Sequence, residues 1–222
     1  MSGWEGADWY AGKGQVAKTE GLSWGRESWF PQWAAEHEAC RTGVVLVDMS
    51  FMSKFLVQGR DAGACLNRLS TANVNGDVGE IVYTQWLNER GTLEADLTVM
   101  RLAEEKFMVV ATDTAHRHVE SHMSRRFPRD AHAIVSDVTG AYTQLNIQGP
   151  GSRGLMQALT GDSEDMSDAA FPFRAAKEVA IGYARPIVTR ITYLGELGCV
   201  EHLRSSVIIP VLAIDRYIRL IT

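Results

Sequence analysis

Four places in the chain hold residue types that do chemistry. The first is Asp96, inside IVYTQWLNERGTLEADLTVMRL at residues 81–102. A period of two runs through both halves of this stretch. It predicts strands over about 81–87 and 92–102, joined by the turn Asn88-Glu89-Arg90-Gly91. Gly91 can take the positive φ that such a turn asks for. Ile81, Tyr83, Gln85 and Leu87 share one face of the first strand, and alternation groups Glu94, Asp96 and Thr98 on one face of the second. Asp is depleted inside strands, so a carboxylate there faces water, meets a partner or lines a cavity. Alternation alone leaves two readings open: a solvated outer face, or a carboxylate held on a stiff sheet to move a proton.

The second place is His118 and His122, four apart on a predicted helix and therefore on one face. Val119 stands where an H-E-x-x-H arrangement needs its Glu, and Arg117, Glu120, Arg125 and Arg126 mark a solvated helix. No metal site is expected there. The third is Gly149-Pro150-Gly151-Ser152-Arg153-Gly154, a literal G-x-G-x-x-G between a strand and a helix. Pro150 and the loop-like composition of residues 161–173 argue against a dinucleotide cradle and for Gly-Pro opening a short helix. The fourth is His37, which shares a helix face with Trp33 and Cys40 and reads as a packed or half-exposed histidine.

The elements that must position these residues follow from pattern. Helices are predicted over about 29–41, with Pro31 in the first turn, over 61–69, capped by Asp61, and over 112–126, capped by Thr112-Asp113-Thr114. Strands are predicted at 44–47, 54–57, 106–111, 133–138, 142–148, 177–181 and 183–193. Hairpins dominate, so the fold class is α+β with mainly antiparallel sheet. The 222 residues are 45% hydrophobic and 22% charged, enough for a sizeable core. A net charge of −5 argues against a nucleic-acid surface. No apolar run approaches the roughly 20 residues that span a bilayer, so no membrane partner is expected. Cys40, Cys65 and Cys199 lack metal spacing and read as reduced thiols. With no leader pattern at the N-terminus, the expected compartment is the cytoplasm, or the mitochondrial matrix in a eukaryote.

Several segments carry a family likeness: GRESWFPQWAAEHEACRTGVVLVDMSFMSKFLVQG, YTQWLNERGTLEADLTV, LNIQGPGSRGLMQALT, FPFRAAKEVAIGYA and RITYLGELG. In this order they resemble the folate-binding region of the glycine-cleavage aminomethyltransferase (T-protein, GcvT-like) superfamily, and most of all the C-terminal portion of dimethylglycine and sarcosine dehydrogenases. The resemblance covers about residues 24–198. It divides the chain into an irregular arm (1–23), a folate-binding domain (24–198) and an atypical tail (199–222). It implies tetrahydrofolate as cofactor and a small amine, a methylated glycine or an aminomethyl group, as the one-carbon source. The implied product is 5,10-methylenetetrahydrofolate. Asp96 matches the position that handles the proton, and Tyr83 and Tyr193 match binding tyrosines. Asp48–Ser50 matches a segment beside the folate channel, while Arg174 and Arg185 are expected at a rim.

In the dehydrogenases a flavin domain precedes this region. FAD is therefore expected only on a separate flavoprotein domain or subunit, which would be a partner. The family's pterin-binding glutamate follows Tyr193 by seven residues, where this chain has Val200. Glu201 is one place late and is the candidate substitute, although a slip of one reverses a strand's face. From residue 199 the sequence leaves the family pattern, as a frame change or truncation there would cause. The alternative reading is thus a non-catalytic folate-binding or interaction remnant of a truncated flavoprotein.

Overall fold

Alternating apolar residues write most of the strands, and in the computed structural model they assemble into two five-stranded sheets. The structure describes residues 9–16 and 24–204, the side chains of 201, 203 and 204 excepted. In chain order the elements are α1 (Phe30–Thr42), β1 (Val45–Asp48), β2 (Ser53–Gln58), α2 (Ala62–Leu69), β3 (Ile81–Leu87), β4 (Leu93–Ala103), β5 (Lys106–Ala111), α3 (His116–Arg126), β6 (Ile134–Asp137), β7 (Tyr142–Gln148), α4 (Ser152–Thr160), β8 (Ala176–Glu178), β9 (Ile187–Thr189) and β10 (Gly198–Arg204). One sheet runs β3-β4-β5-β2-β6 and the other β1-β7-β10-β9-β8. Every neighbouring pair is antiparallel. The α+β class with mainly antiparallel sheet is therefore the observed architecture.

The sheets stack face to face, with helices on the outside. Phe55, Trp86, Leu97, Val99, Phe107 and Val109 pack against Leu66 of α2 and Val119 and Met123 of α3. Ile147, Val188 and Cys199 pack on Leu155 and Met156 of α4. Between the sheets lie Ile81, Met100, Met108 and Val110 on one side and Tyr142, Ala176 and Ile187 on the other. The central strands thus use both faces, one towards helices and one towards the opposing sheet.

Local chemistry explains where the elements differ from pattern. The predicted strand over 183–193 shortens to β9, because Pro186 has no N–H for the ladder and a tight bridge joins Ile181 to Ala184. Asp61 precedes α2 but makes no cap bond; its Oδ2 instead accepts from the His132 N–H at 2.7 Å. Ahead of α3 the chain makes a 3-10 turn over Asp113–Ala115, again without a side-chain cap. The expected boundary between residues 198 and 199 falls inside β10, which pairs with β7 from Gly198 to Arg204. Most of the arm (1–8, 17–23) and residues 205–222 lie outside the described residues. Among the described residues no helix is long and apolar enough to cross a membrane.

The glycine-rich run is explained by packing. Gly149 has φ +119, and a Cβ there would sit 2.4 Å from the Gly43 carbonyl oxygen. Gly151 donates its N–H to that same oxygen at 2.9 Å and leads into α4. The preceding strand, β7, is flanked by antiparallel neighbours, so no βαβ unit exists around it.

Lys54, in β2, is fully buried although it carries a charge. Its Nζ donates to the carbonyls of Ser50 at 3.0 Å and Met52 at 2.6 Å. Burial pulls its pKa from 10.5 down to about 8, against the opposing pull of Asp48 and Asp137. Below pH 8 folded and unfolded chains both hold the proton, and the burial penalty stands in full. Between about 8 and 10.5 only the unfolded chain holds it, so Lys54 makes stability rise with pH. Urea unfolding of wild type and Lys54→Met across this window checks the point. The wild type gains stability relative to the variant, and parallel profiles would refute a buried cation.

Candidate functional site

Antiparallel pairing of β3 with β4 sets Gln85 opposite Asp96 and Tyr83 opposite Thr98. Tyr83 lies diagonal to Asp96, within reach of a long side chain. Its hydroxyl donates to Asp96 Oδ2 at 2.6 Å, and Gln85 Nε2 donates to Oδ1 at 3.0 Å. Both carboxylate oxygens therefore have a neutral donor. The turn that sets this register is the expected one: Gly91, with φ +76, donates to the Asn88 carbonyl at 2.9 Å.

Asp96 stands at a cavity of about 630 Å³ between the two sheets, a size that takes a small-molecule cofactor. The walls divide by depth. Exposed aromatic rings, Phe51, Tyr83, Phe173 and Tyr193, lie around the outer part. Tyr193 comes from the loop after β9 and is 70% exposed. Met49 and Met52 contribute from the segment before β2, and Ile81 and Met100 from the sheet of β3 and β4. The sheet of β7, β9 and β10 contributes Gln144, Asn146, Thr189, Val200 and His202, all buried.

That inner wall is polar but uncharged. Gln144 Oε1, Asn146 Oδ1 and His202 Nδ1 are buried without a hydrogen-bond partner in the chain. Burial, with Lys54 nearby, pushes His202 down to about 3, so its imidazole is neutral. Three buried polar atoms without partners are costly in the folded chain. Pattern reading missed all three, because they belong to β7 and β10. The period of two marks their faces, but nothing in it says which sheet they meet.

The other candidates are placed as follows. Tyr83, Asp96 and Tyr193 come together at the cavity. The backbone of Glu201 pairs with Leu145 and Val188, and its side chain lies outside the described residues. Val200 and His202, on either side of it, line the cavity. In the segment Asp48–Ser50 it is Met49 that lines the cavity, while Ser50 donates twice to Asp48 Oδ1, through its N–H at 2.9 Å and its hydroxyl at 2.6 Å. Arg174 lines the cavity with φ +69, and Arg185 pairs on the surface with Glu178 at 3.8 Å. His37 is exposed and stacks on Trp33, with ring centroids 6.0 Å apart.

Glu94 departs from its expected face. The ladder shifts between Trp86 and Leu87, so Leu87 pairs with Leu93, Trp86 with Ala95, and Glu94 is the extra residue of a bulge. Its Oε2 lies 2.6 Å from His118 Nε2 on α3, and Asn88 Nδ2 donates to its Oε1 at 2.8 Å. A strand thus brings a carboxylate against the histidine face of α3.

The bond from Tyr83 to Asp96 has a spectroscopic consequence. Donating to a carboxylate holds the phenolic proton, so Tyr83 ionises above the usual 10. Asp96→Asn removes the charge and brings Tyr83 back down towards 10. Titration of the tyrosine ring carbons by NMR reads this directly, and a Tyr83 pKa indifferent to the substitution would dissolve the pair.

Comparisons with known proteins extend the geometry. A family model, the GCVT N-terminal domain, matches residues 1–205. Among curated relatives, 4-methylaminobutanoate oxidase (formaldehyde-forming) of Paenarthrobacter nicotinovorans is 36% identical over 200 residues, covering 89% of this chain and 24% of that protein. The mitochondrial pyruvate dehydrogenase phosphatase regulatory subunit of Mus musculus is 30% identical, covering 84% of this chain and 21% of that protein. Mitochondrial dimethylglycine dehydrogenase of Mus musculus is 31% identical, with 89% and 22% covered. The chain spans less than a quarter of the length of these three relatives. The crystal structure of the glycine cleavage system aminomethyltransferase T from Bartonella henselae has the same fold, with a TM-score of 0.68 at 23% identity over 82% of this chain and 47% of that one. With a family model matched across nearly its whole length and two stacked antiparallel sheets of the same design, the chain belongs to the GCVT N-terminal domain family.

Proposed function

We propose that this chain is a tetrahydrofolate-binding domain for one-carbon transfer, related to that of the dimethylglycine and sarcosine dehydrogenases. The observation that carries this reading is the Asp96 carboxylate, held by Tyr83 and Gln85 at the edge of a cavity of about 630 Å³. Exposed rings at Tyr83, Phe173 and Tyr193 suit the flat face of a pterin. Gln144, Asn146 and His202 line its inner part, where side-chain rotation can bring polar groups to the ligand's edge. Val200 offers no polar contact.

Tetrahydrofolate supplies the nucleophilic nitrogen that captures a methylene carbon, giving 5,10-methylenetetrahydrofolate. The carbon arrives as an aminomethyl group, or as the iminium left when a flavin has oxidised a methylated glycine; its bond to the amine nitrogen breaks, and the amine leaves with the protons that the two folate nitrogens release. A proton must leave that nitrogen as the bond forms, and in this reading Asp96 takes or relays it, an effect of about 10²–10⁴-fold. Tyr83 and Gln85 hold the carboxylate in position. Oxidation of the amine belongs to a separate flavin-bearing domain or subunit holding FAD. In this reading residues 24–198, extended by β10, form the folate domain, with Glu201 the candidate acidic contact in place of one at position 200.

A second reading is favoured by Val200 and by the relative whose name is a regulatory subunit. In it the cavity binds folate or a partner without turnover. The two readings separate experimentally. Titration of the purified chain with a reduced folate gives saturable binding in both folate readings, and its absence sinks both. Asn146→Leu weakens that binding by about tenfold through loss of a buried hydrogen bond. Asp96→Asn keeps binding and lowers methylenetetrahydrofolate formation by about 10²-fold or more when an amine-derived iminium is supplied. Equal product formation removes Asp96 from the mechanism, and none by the wild type leaves the binding reading.

A further inference from the structure

The face of the β3–β4 hairpin turned away from the cavity carries a second group of converging ligand atoms. Glu94, His118 and His122 each offer one donor atom, and these atoms lie within 4.8 Å of one another. His118 and His122 are one helical turn apart on α3, and Glu94 reaches them because the bulge in β4 turns it towards the helix. Two of the three side chains have a support outside the cluster. Asn88 Nδ2 holds the far oxygen of Glu94 at 2.8 Å. The His122 ring stacks on buried Trp86, centroids 5.6 Å apart and planes at 20°. Arg126, at the C-terminal end of the same helix, is paired with Glu89.

We infer that Glu94, His118 and His122 form a site for a divalent transition-metal ion of the zinc class. Two imidazoles and one carboxylate are a three-ligand set that zinc accepts, with a fourth position left to water. Zinc–ligand bonds of about 2.0–2.2 Å put neighbouring ligand atoms about 3.3 Å apart in a tetrahedron. The apo spread closes to that by rotamer adjustment of His118, which is half exposed. The hydrogen bond between His118 and Glu94 gives way to two metal bonds, and any proton it holds leaves to solvent. A bound ion ties α3 to the hairpin whose opposite face presents Tyr83 and Asp96. The support of Glu94 by Asn88 is the kind of outer contact that orients a metal ligand.

The test is calorimetric titration of the chelator-stripped full chain with Zn2+, repeated with Co2+ to read the absorbance of a low-coordinate nitrogen–oxygen site. The expected result is saturable uptake of one ion, a raised melting temperature, and visible Co2+ bands. Glu94→Gln and His118→Gln each weaken uptake by about tenfold or more, while His37→Gln, on exposed α1, leaves it unchanged. Both site variants alter accessible side chains, and their metal-free melting curves verify folding. No saturable uptake by the wild type, or equal uptake by the Glu94→Gln/His118→Gln double variant, overturns the site.

Discussion

The register between β3 and β4 is the constraint on which the site depends. Gln85 faces Asp96 across the ladder, and Tyr83 reaches it from the next position on the same face. A slip by one residue would send the carboxylate to the helix-packed side, among Trp86, Leu97 and Val99, where an unpaired charge is untenable. The apolar alternation of both strands forbids the slip, because those same residues make the core beneath α2 and α3. Packing on one side of the sheet therefore fixes the chemistry on the other. The bulge at Glu94 keeps both demands compatible: it absorbs one residue at the end of the hairpin and leaves the pairing beyond it intact.

Much of this was legible in the sequence, for definite reasons. Strands β3, β5 and β7 begin and end where alternation puts them, and Gly91 turns the hairpin as its position demands. Tyr83 was identified through family likeness, and the tight turn between the two strands brings its hydroxyl to Asp96. Tyr193 was identified through family likeness, since an exposed tyrosine on a loop has no pattern of its own. Gln144, Asn146 and His202 were not legible, because their partner surface is a sheet far away in sequence and stacking is not written in local periodicity. Glu94 was assigned to the face of Asp96, since alternation cannot reveal a bulge. Lys54 sat at the start of a predicted strand with nothing to announce that it is enclosed. Ser53, Lys54 and Phe55 are all enclosed in β2, whichever face of the sheet they point to.

The inner wall of the cavity has a consistent electrostatic logic. Lys54 is the cation beneath it, satisfied by two backbone carbonyls and offset by Asp48 and Asp137. His202, close to that cation and out of water, stays neutral. A wall built this way presents dipoles without net charge. A glutamate at position 200 would change the balance, because a buried carboxylate costs several kcal/mol unless a partner or ligand compensates it. Val200 avoids that cost in the empty cavity and gives up a charge-assisted contact of about 1.5–3 kcal/mol with a bound ligand.

The exchange bears on what the proposed site can recognise. A charged acceptor selects strongly for a ligand edge that donates, whereas amides and a neutral imidazole accept or donate according to how they turn. Gln144, Asn146 and His202 therefore trade affinity for tolerance. Their unpartnered atoms penalise the folded chain unless side-chain rotation brings them to a partner, since a buried polar group without a bond costs about 1–3 kcal/mol. Discrimination then comes from two separate places. The inner wall demands a ligand with polar atoms along one edge, and the exposed rings of Tyr83, Phe173 and Tyr193 demand a flat one. A planar heterocycle meets both conditions, and its polar edge points inwards only if its face lies along the rings. That orientation runs the ligand past Asp96, whose charge is held at the boundary between the ringed outer part and the neutral interior.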